Sequence, residues 1–399
     1  MAAVQRKLSD TFQAFFKSEK AGGVVILSMT VLSLVLANSA FGTRYLELWH
    51  LDAGGLSVEH WINDGLMAVF FLLIGLELER ELYNGELSNI RNALLPIVAA
   101  IGGIAVPAAI HFSFNAGSAT QAGIGIPMAT DIAFALGILA LIGSRVPASL
   151  KIFLTALAVI DDLVAIVVIA VFYTAELALG YLLAALGVFA VLVLLNRLRV
   201  VMLLPYLIGG ALMWFLMLKS GVHATITGVL LAFAIPYSAK EDDAASPSHR
   251  LEHALHKPVA FFVLPLFALA NTAIVIDADW TAALSAPNSL GIIGGLLVGK
   301  PLGITLLSML AVAIGICRLP LDLRWRHVVG AGLLGGIGFT MSIFITNLAF
   351  TGEATLIDAS KISILGASLL AGIAGFVWLK IFGKPVSDDT DMNTMDFHD

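Results

Sequence analysis

The sequence predicts an all-α integral membrane protein of about twelve transmembrane helices with inverted repeats, and three observations carry that prediction. Of the 399 residues, 59% are hydrophobic and only 13% charged, where an ordinary soluble domain is about one quarter charged. Apolar runs of the roughly 20 residues needed to cross a bilayer recur from end to end. The charges that remain alternate between two sets of loops. Segments 1–20, 79–93, 143–151, 197–199, 237–257, 318–327 and 380–399 hold 18 of the 22 basic residues. The opposite set holds Arg44, Lys219 and Lys361, and Lys300 lies inside a span. That bias places both termini in the cytoplasm.

In order, the spans read as 21–41, 60–83, 94–114, 120–142, 150–174, 180–196, 203–218, 222–236, 254–276, 290–313, 328–350 and 361–383. The first is longer than the apolar core of a signal peptide and follows a polar stretch, so it reads as a span. Residues 1–20 are a cytoplasmic segment, and 21–93 carry spans 1 and 2. Between them, 43–56 is aromatic-rich and followed by a glycine pair, which reads as a small extracytoplasmic β-hairpin. Residues 94–175 form a first three-span unit, 180–276 hold spans 6–9, and 290–383 form a second three-span unit. Residues 384–399 are an acidic cytoplasmic tail. Spans 3–5 and 10–12 start on opposite sides, as inverted repeats require. Span 4 (Gly123-Ile124-Gly125-Ile126-Pro127) and span 11 (Gly330 to Gly338) are interrupted by glycine or proline, so both are expected to be broken helices around a midplane site. Glycine for close helix packing is the competing reading.

Cys317 is the single cysteine, which excludes an internal disulfide and a cysteine metal cage. Nothing supports nucleic-acid binding. Ionisable residues deep in a membrane mark ion or substrate paths, and Asp131, Asp161, Asp162 and Lys300 all fall near mid-span. Unpaired, the four would cost on the order of 10 kcal/mol. A salt bridge to Lys300 neutralises one aspartate and leaves two unexplained. Neighbouring helix residues point about 100° apart, so Asp161 and Asp162 divide their tasks and titrate as a coupled pair. A proton and a small cation satisfy the same oxygens, with Thr130 and freed carbonyls as further ligands. Competition between the two is the physical core of an antiporter. His249, His253 and His256 share one helix face; they read either as a pH-responsive group or as solvated residues, and no fourth ligand for a zinc site is evident. His111 reads as a helix-end residue and Asp64, beside Asn63, as structural.

Seven strings, in order along 21–383, resemble the NhaA family of sodium/proton antiporters. They are Gly75-Leu76-Glu77-Leu78-Glu79-Arg80-Glu81, Ala129-Thr130-Asp131-Ile132-Ala133-Phe134, Ala158-Val159-Ile160-Asp161-Asp162-Leu163, Gly221-Val222-His223-Ala224, Arg250-Leu251-Glu252-His253, Gly299-Lys300-Pro301-Leu302-Gly303 and Gly338-Phe339-Thr340-Met341-Ser342. The resemblance implies that Asp161 and Asp162 bind sodium or lithium and carry protons. Thr130 and Asp131 would sit where the two broken helices cross and balance their dipoles. Lys300 would pair with Asp161 or Asp131 and let go when the ion binds. Glu77, Arg80, Glu81, His223, Glu252 and His253 match positions tied to pH response; His249 stands where familiar members carry lysine. It further implies a lipid-embedded homodimer joined through the hairpin, in a bacterial inner membrane, with no cofactor beyond the transported ions and no enzymatic chemistry.

Function is therefore expected to be electrogenic exchange of sodium for protons by alternating access. The alternative is a sodium-coupled symporter of similar fold, although no organic-substrate cavity is suggested. An intramembrane aspartyl protease is disfavoured, because a Gly-x-Gly-Asp string is absent and Lys300 has no part in that chemistry.

Overall fold

In a bilayer every backbone polar group must find its partner within the protein, which leaves helices as the economical solution for apolar runs of this length. A computed structural model describes residues 21–173, 177–238, 246–276 and 280–384. Among them, nine single helices are long and apolar enough to span a membrane, and two bent pairs raise the number to 11. The chain is a multi-pass membrane protein.

Span 1 runs Ala21–Ala37 and turns by 115° into a second helix, Gly42–His50. Span 2 is Val58–Tyr83, span 3 Ile90–Asn115, span 4 Ala119–Ile142 and span 5 Ala148–Phe172. Spans 6 and 7 are Leu179–Arg197 and Leu203–Ser220, while the region of span 8 forms a shorter helix, Ile226–Ala234. Span 9 is Pro247–Asn271, span 10 Pro287–Ala313 and span 12 Ala354–Phe382. Span 11 consists of Trp325–Gly335 and Phe339–Ala349, bent by 45° at Gly336-Ile337-Gly338.

The expected β-hairpin at 43–56 is corrected. No strand forms among the described residues; 42–50 is a helix, and the glycine pair supports only an isolated bridge between Asp52 and Ser57. Helical spacing suits the segment better because it puts Tyr45 and Trp49 on one face, ring centroids 5.5 Å apart. The Tyr45 hydroxyl then reaches Ser33 Oγ and the Leu269 carbonyl, both at 2.9 Å. The partner strand of a hairpin would have to come from 56–60, where span 2 already begins.

Two apolar cores organise the spans. One gathers side chains from spans 1–5 and 9–12 with Val229 of span 8, and the other joins span 2 to spans 6, 7 and 8 and to Leu251 at the start of span 9. Leu183, Val191, Ile208 and Leu212 of spans 6 and 7 face outward, as expected of helices in lipid. Within the first core, span 10 carries glycines at 291, 295, 299 and 303, one per turn. These let it close on span 3: a Cβ added to Gly303 would stand 2.0 Å from the Gly102 carbonyl oxygen, and one on Gly299 2.8 Å from Pro107 Cα. Small residues are what close membrane-helix packing requires.

Candidate functional site

Span 4 stops being a regular helix partway along its length. Ala119–Met128 forms a 3-10 helix that contains Pro127; Ala129 and Asp131 are extended, and an α-helix resumes at Ile132. Each break leaves orphan backbone groups, and the two breaks satisfy one another. Asp131 N donates to the Ile337 carbonyl at 2.6 Å, and Ser342 Oγ donates to the Ile126 carbonyl at 2.6 Å. Asp131 Oδ1 accepts from Phe134 N at 3.1 Å, capping the second half of span 4. Its Oδ2 accepts from Thr340 N at 3.0 Å and Thr340 Oγ1 at 2.6 Å, at the start of the second half of span 11. One buried carboxylate thus faces the positive ends of two half-helices, each worth roughly half a charge.

Beside the crossing, Lys300 is fully buried and forms an ion pair with Asp161 Oδ2. Its Nζ also donates to Thr130 Oγ1 at 2.8 Å. Thr130 Oγ1 lies 2.7 Å from Asp161 Oδ2 and 3.0 Å from the Gly335 carbonyl, with one proton to give to either. Gly335 ends the first half of span 11, so the ammonium stands near a negative helix end. Of the two partners open to Lys300 from sequence, the geometry selects Asp161; Asp131 serves the helix ends instead. Asp162 points elsewhere and is 1% exposed. Asp161 Oδ1 and Asp162 Oδ1 are both buried without a hydrogen-bond partner. Such oxygens are costly unless a proton or cation satisfies them, and carboxylate oxygens suit a hard monovalent ion.

A second charged cluster forms where the end of span 2 meets the start of span 9. Arg80 Nη1 binds Glu252 Oε1 at 2.5 Å, and Arg80 Nη2 lies 3.3 Å from Glu81 Oε1. His249 Nδ1 is 4.0 Å from Glu252 Oε2, and His256 Nδ1 is 3.8 Å from Glu77 Oε1. Ser248 Oγ donates to Glu79 Oε2 at 3.0 Å. Tyr237 stacks on Tyr83 at 5.3 Å, and burial together with the Glu252 charge pushes its phenol above the ordinary range. A cavity of about 30 Å³, room for one water, lies between Glu77 and His256 of this cluster and Ile132 and Ala133 next to the crossing.

The structure therefore unites Glu77, Arg80, Glu81, His249, Glu252 and His256, and adds Glu79 and Ser248. His253 is exposed. His223 lies elsewhere, bonded through Nε2 to the Tyr173 carbonyl at 2.7 Å beyond the far end of span 5. Sequence reasoning also missed two buried groups. His111, read as a helix-end residue, is wholly buried against Asn288 Oδ1 at 3.1 Å. Lys361, counted with the loop charges at the expected start of span 12, sits two turns inside the observed helix at 6% exposure, with Glu59 and Asp358 as its electrostatic partners. Its flanking Asp358 was the available signal.

Residues 13–379 match the family described as Na+/H+ antiporter 1. A Na(+)/H(+) antiporter NhaA of Dechloromonas aromatica is 70% identical over 383 residues, covering 96% of this chain and 98% of the relative. A Na(+)/H(+) antiporter NhaA 1 of Flavobacterium johnsoniae is 59% identical over 374 residues, covering 94% and 97%. The solved structure of the sodium proton antiporter MjNhaP1 from Methanocaldococcus jannaschii shares the fold, with a TM-score of 0.54 at 15% identity over 94% of this chain and 98% of that one.

Proposed function

This chain belongs to the Na+/H+ antiporter 1 family and exchanges sodium ions for protons, and we propose that it does so electrogenically at Asp161, Asp162 and Lys300. The observation that carries the site is the pair of buried carboxylate oxygens without partners beside the Lys300–Asp161 ion pair. Sodium or lithium entering between them would take one oxygen from each aspartate, with Thr130 Oγ1 in reach as a neutral ligand. Asp162 would give up its proton, and Lys300 would leave Asp161. Either Lys300 releases a proton as it leaves, or it acts as the gate that lets Asp161 be the second carrier. Asp131 holds the crossing together throughout, its charge balanced by the two half-helix ends.

The broken spans 4 and 11 put irregular backbone at the site, the feature on which alternating access turns in transporters built from inverted repeats, and this supports alternating access here. Twelve spans, with the short Ile226–Ala234 helix as the eighth, put both termini in the cytoplasm of a bacterial inner-membrane protein. The Arg80–Glu252 cluster then lies on the cytoplasmic side, one water-sized cavity from the crossing, and is the natural place for pH control. A homodimer surrounded by lipid would join through 42–57.

If two protons enter for each sodium leaving, one net charge moves per cycle. An interior-negative potential of 100 mV then contributes about 2.3 kcal/mol, roughly a 50-fold change in the sustainable sodium gradient. The test imposes a potassium-diffusion potential on proteoliposomes and finds the sodium gradient at zero net flux. A balance point indifferent to voltage means one-for-one exchange and removes the two-carrier mechanism.

A further inference from the structure

A polar cluster apart from the ion site joins spans 3, 4, 10 and 12. His111, one turn before the end of span 3, is wholly buried, with Gly291 of span 10 and Gly123 of span 4 flush against its ring. A Cβ on Gly291 would stand 2.9 Å from its Cδ2, and one on Gly123 3.1 Å from its Nε2. The hydrogen bonds around it fix its proton. Ser360 Oγ on span 12 gives its own proton to the Leu356 carbonyl at 2.7 Å, so it accepts from Asn288 Nδ2 at 2.8 Å. Asn288 therefore turns Oδ1 toward His111, whose Nε2 at 3.1 Å must carry the hydrogen. Nδ1 is left as a bare lone pair, buried without a hydrogen-bond partner. Asn115 adds a second layer. Its Nδ2 donates to the His111 and Pro287 carbonyls at 2.9 and 3.2 Å, and its Oδ1 accepts from Thr120 Oγ1 at 2.7 Å.

The same helices build the candidate site. Span 10 runs on to Lys300, span 4 to Thr130 and Asp131, and Ser368 Oγ of span 12 accepts from Phe339 N beside Thr340 at 3.2 Å. We propose that His111 is a positioning residue for exchange: in its neutral form it locks the extracytoplasmic ends of the two three-span units together, and acid on that side undoes the lock. The proposal rests on the antiport reading and the membrane orientation given above. An imidazolium donates from both nitrogens, and its second N–H would be buried with no acceptor, a costly arrangement. The surroundings supply no compensating carboxylate. Among the described residues, 92–115 of span 3, 119–128 of span 4, 280–299 and 339–350 carry no charged side chain other than His111 itself. Tyr173, at the end of span 5, is engaged with the Ala122 carbonyl at 2.7 Å. Span 12 brings Asp358 and Lys361 to either side of Ser360, where Lys361 answers Asp358 and Glu59.

The test uses the full chain in right-side-out vesicles from a host without other sodium/proton antiporters, loaded with sodium and buffered inside at one pH. Sodium efflux is read as the outer pH is stepped from about 8 to about 5.5, the range in which histidine changes charge. His111→Gln keeps an N–H for Asn288 but takes up no proton, so each wild-type rate is divided by that of His111→Gln under the same gradient. The quotient should fall about fivefold across the range, the scale of one buried hydrogen bond. It should stay level when the inner pH is varied instead. A covalent lock gives an independent reading, and decides alone should His111→Gln fail to insert. A Cβ on Gly294 would lie 3.3 Å from Ile110 Cγ2, close enough for a disulfide between the two positions. Ile110→Cys/Gly294→Cys in a Cys317→Ser background, with His111 present, should therefore resist outer acid when oxidised and lose flux about fivefold when reduced. A level quotient, an equal fall on both sides, or an oxidised protein that is inactive or as acid-sensitive as its reduced form overturns the lock. Wild-type vesicles without sodium-for-proton exchange at any pH would overturn the antiport reading instead.

Discussion

Close backbone packing of span 10 on span 3 is what brings Lys300 to Asp161, and Gly102→Ala tests it. A Cβ at Gly102 would stand 2.1 Å from the Gly303 carbonyl oxygen and 2.7 Å from its carbon. Backbone atoms cannot rotate out of the way as a side-chain end can. Restoring an ordinary contact requires the two helices to part by about 1 Å. Lys300 lies one turn from Gly303, and its Nζ meets Thr130 Oγ1 at 2.8 Å. Carried along by about 1 Å, the ammonium passes out of hydrogen-bond range of the threonine. Overpacking of this kind costs about 1–3 kcal/mol. The lower part of that range, expressed in turnover, is about a tenfold fall in maximal sodium-dependent proton flux. The assay is flux in proteoliposomes, with detergent thermal stability measured in parallel. Gly137→Ala is the control, because a Cβ there meets nothing within 4 Å; it should leave both readings unchanged. Wild-type flux from Gly102→Ala, or equal damage from Gly137→Ala, would refute the claim that this contact positions the lysine.

Two other outcomes are expected. Asp162→Asn keeps the shape and removes the charge, so sodium-driven proton movement should vanish while membrane insertion and folding persist; wild-type rates from a folded Asp162→Asn protein would take it out of the site. In the Arg80–Glu252 cluster, His256 strengthens its approach to Glu77 only when protonated, tying span 9 to span 2 at acidic pH. His256→Gln should therefore move half-activation to lower pH, by about half a unit, whereas the exposed His253→Gln should not; a pH–flux profile with the reverse order would sink this division.

Much of the fold was legible because the bilayer imposes a fixed length and a charge asymmetry on every crossing. Where those constraints weaken, so did the reading. Span 9 starts at Pro247 rather than 254, because its first turns, Pro247–Pro258, are a polar helix carrying Ser248, His249, Arg250, Glu252, His253 and His256. Hydropathy does not register such a helix, although Ser246 accepting from His249 N at 3.3 Å is an ordinary N-cap. Span 12 likewise begins at Ala354, two turns before its apolar stretch. The segment 42–50 reads equally as alternating or amphipathic, and only Tyr45 docking on Ser33 and Leu269 decides for a helix. For His223 the alternation of loop charges already held the answer. It placed the loop after span 7 opposite the ends of span 2 and the start of span 9, while resemblance alone grouped His223 with Glu77 and Glu252.

At the candidate site the buried charged residues were legible from depth alone, but which partner each one meets needed the angles of approach. Asp131 is balanced by the N-termini of two half-helices and Asp161 by Lys300. Asp162 is adjacent to Asp161 yet makes neither contact, because successive helix residues diverge by about 100°. Once these balances are set, Asp162 is the one carboxylate of the three with neither an ion pair nor a helix N-terminus against it among the described residues. A buried, uncompensated carboxylate must take up either a proton or a cation, and cannot hold both on the same oxygens. On the mechanism proposed above, the competition that defines exchange falls at Asp162, and the neighbouring ion pair would set how many protons join it: if sodium draws Asp161 away from Lys300, a second charge must be resolved in the same step.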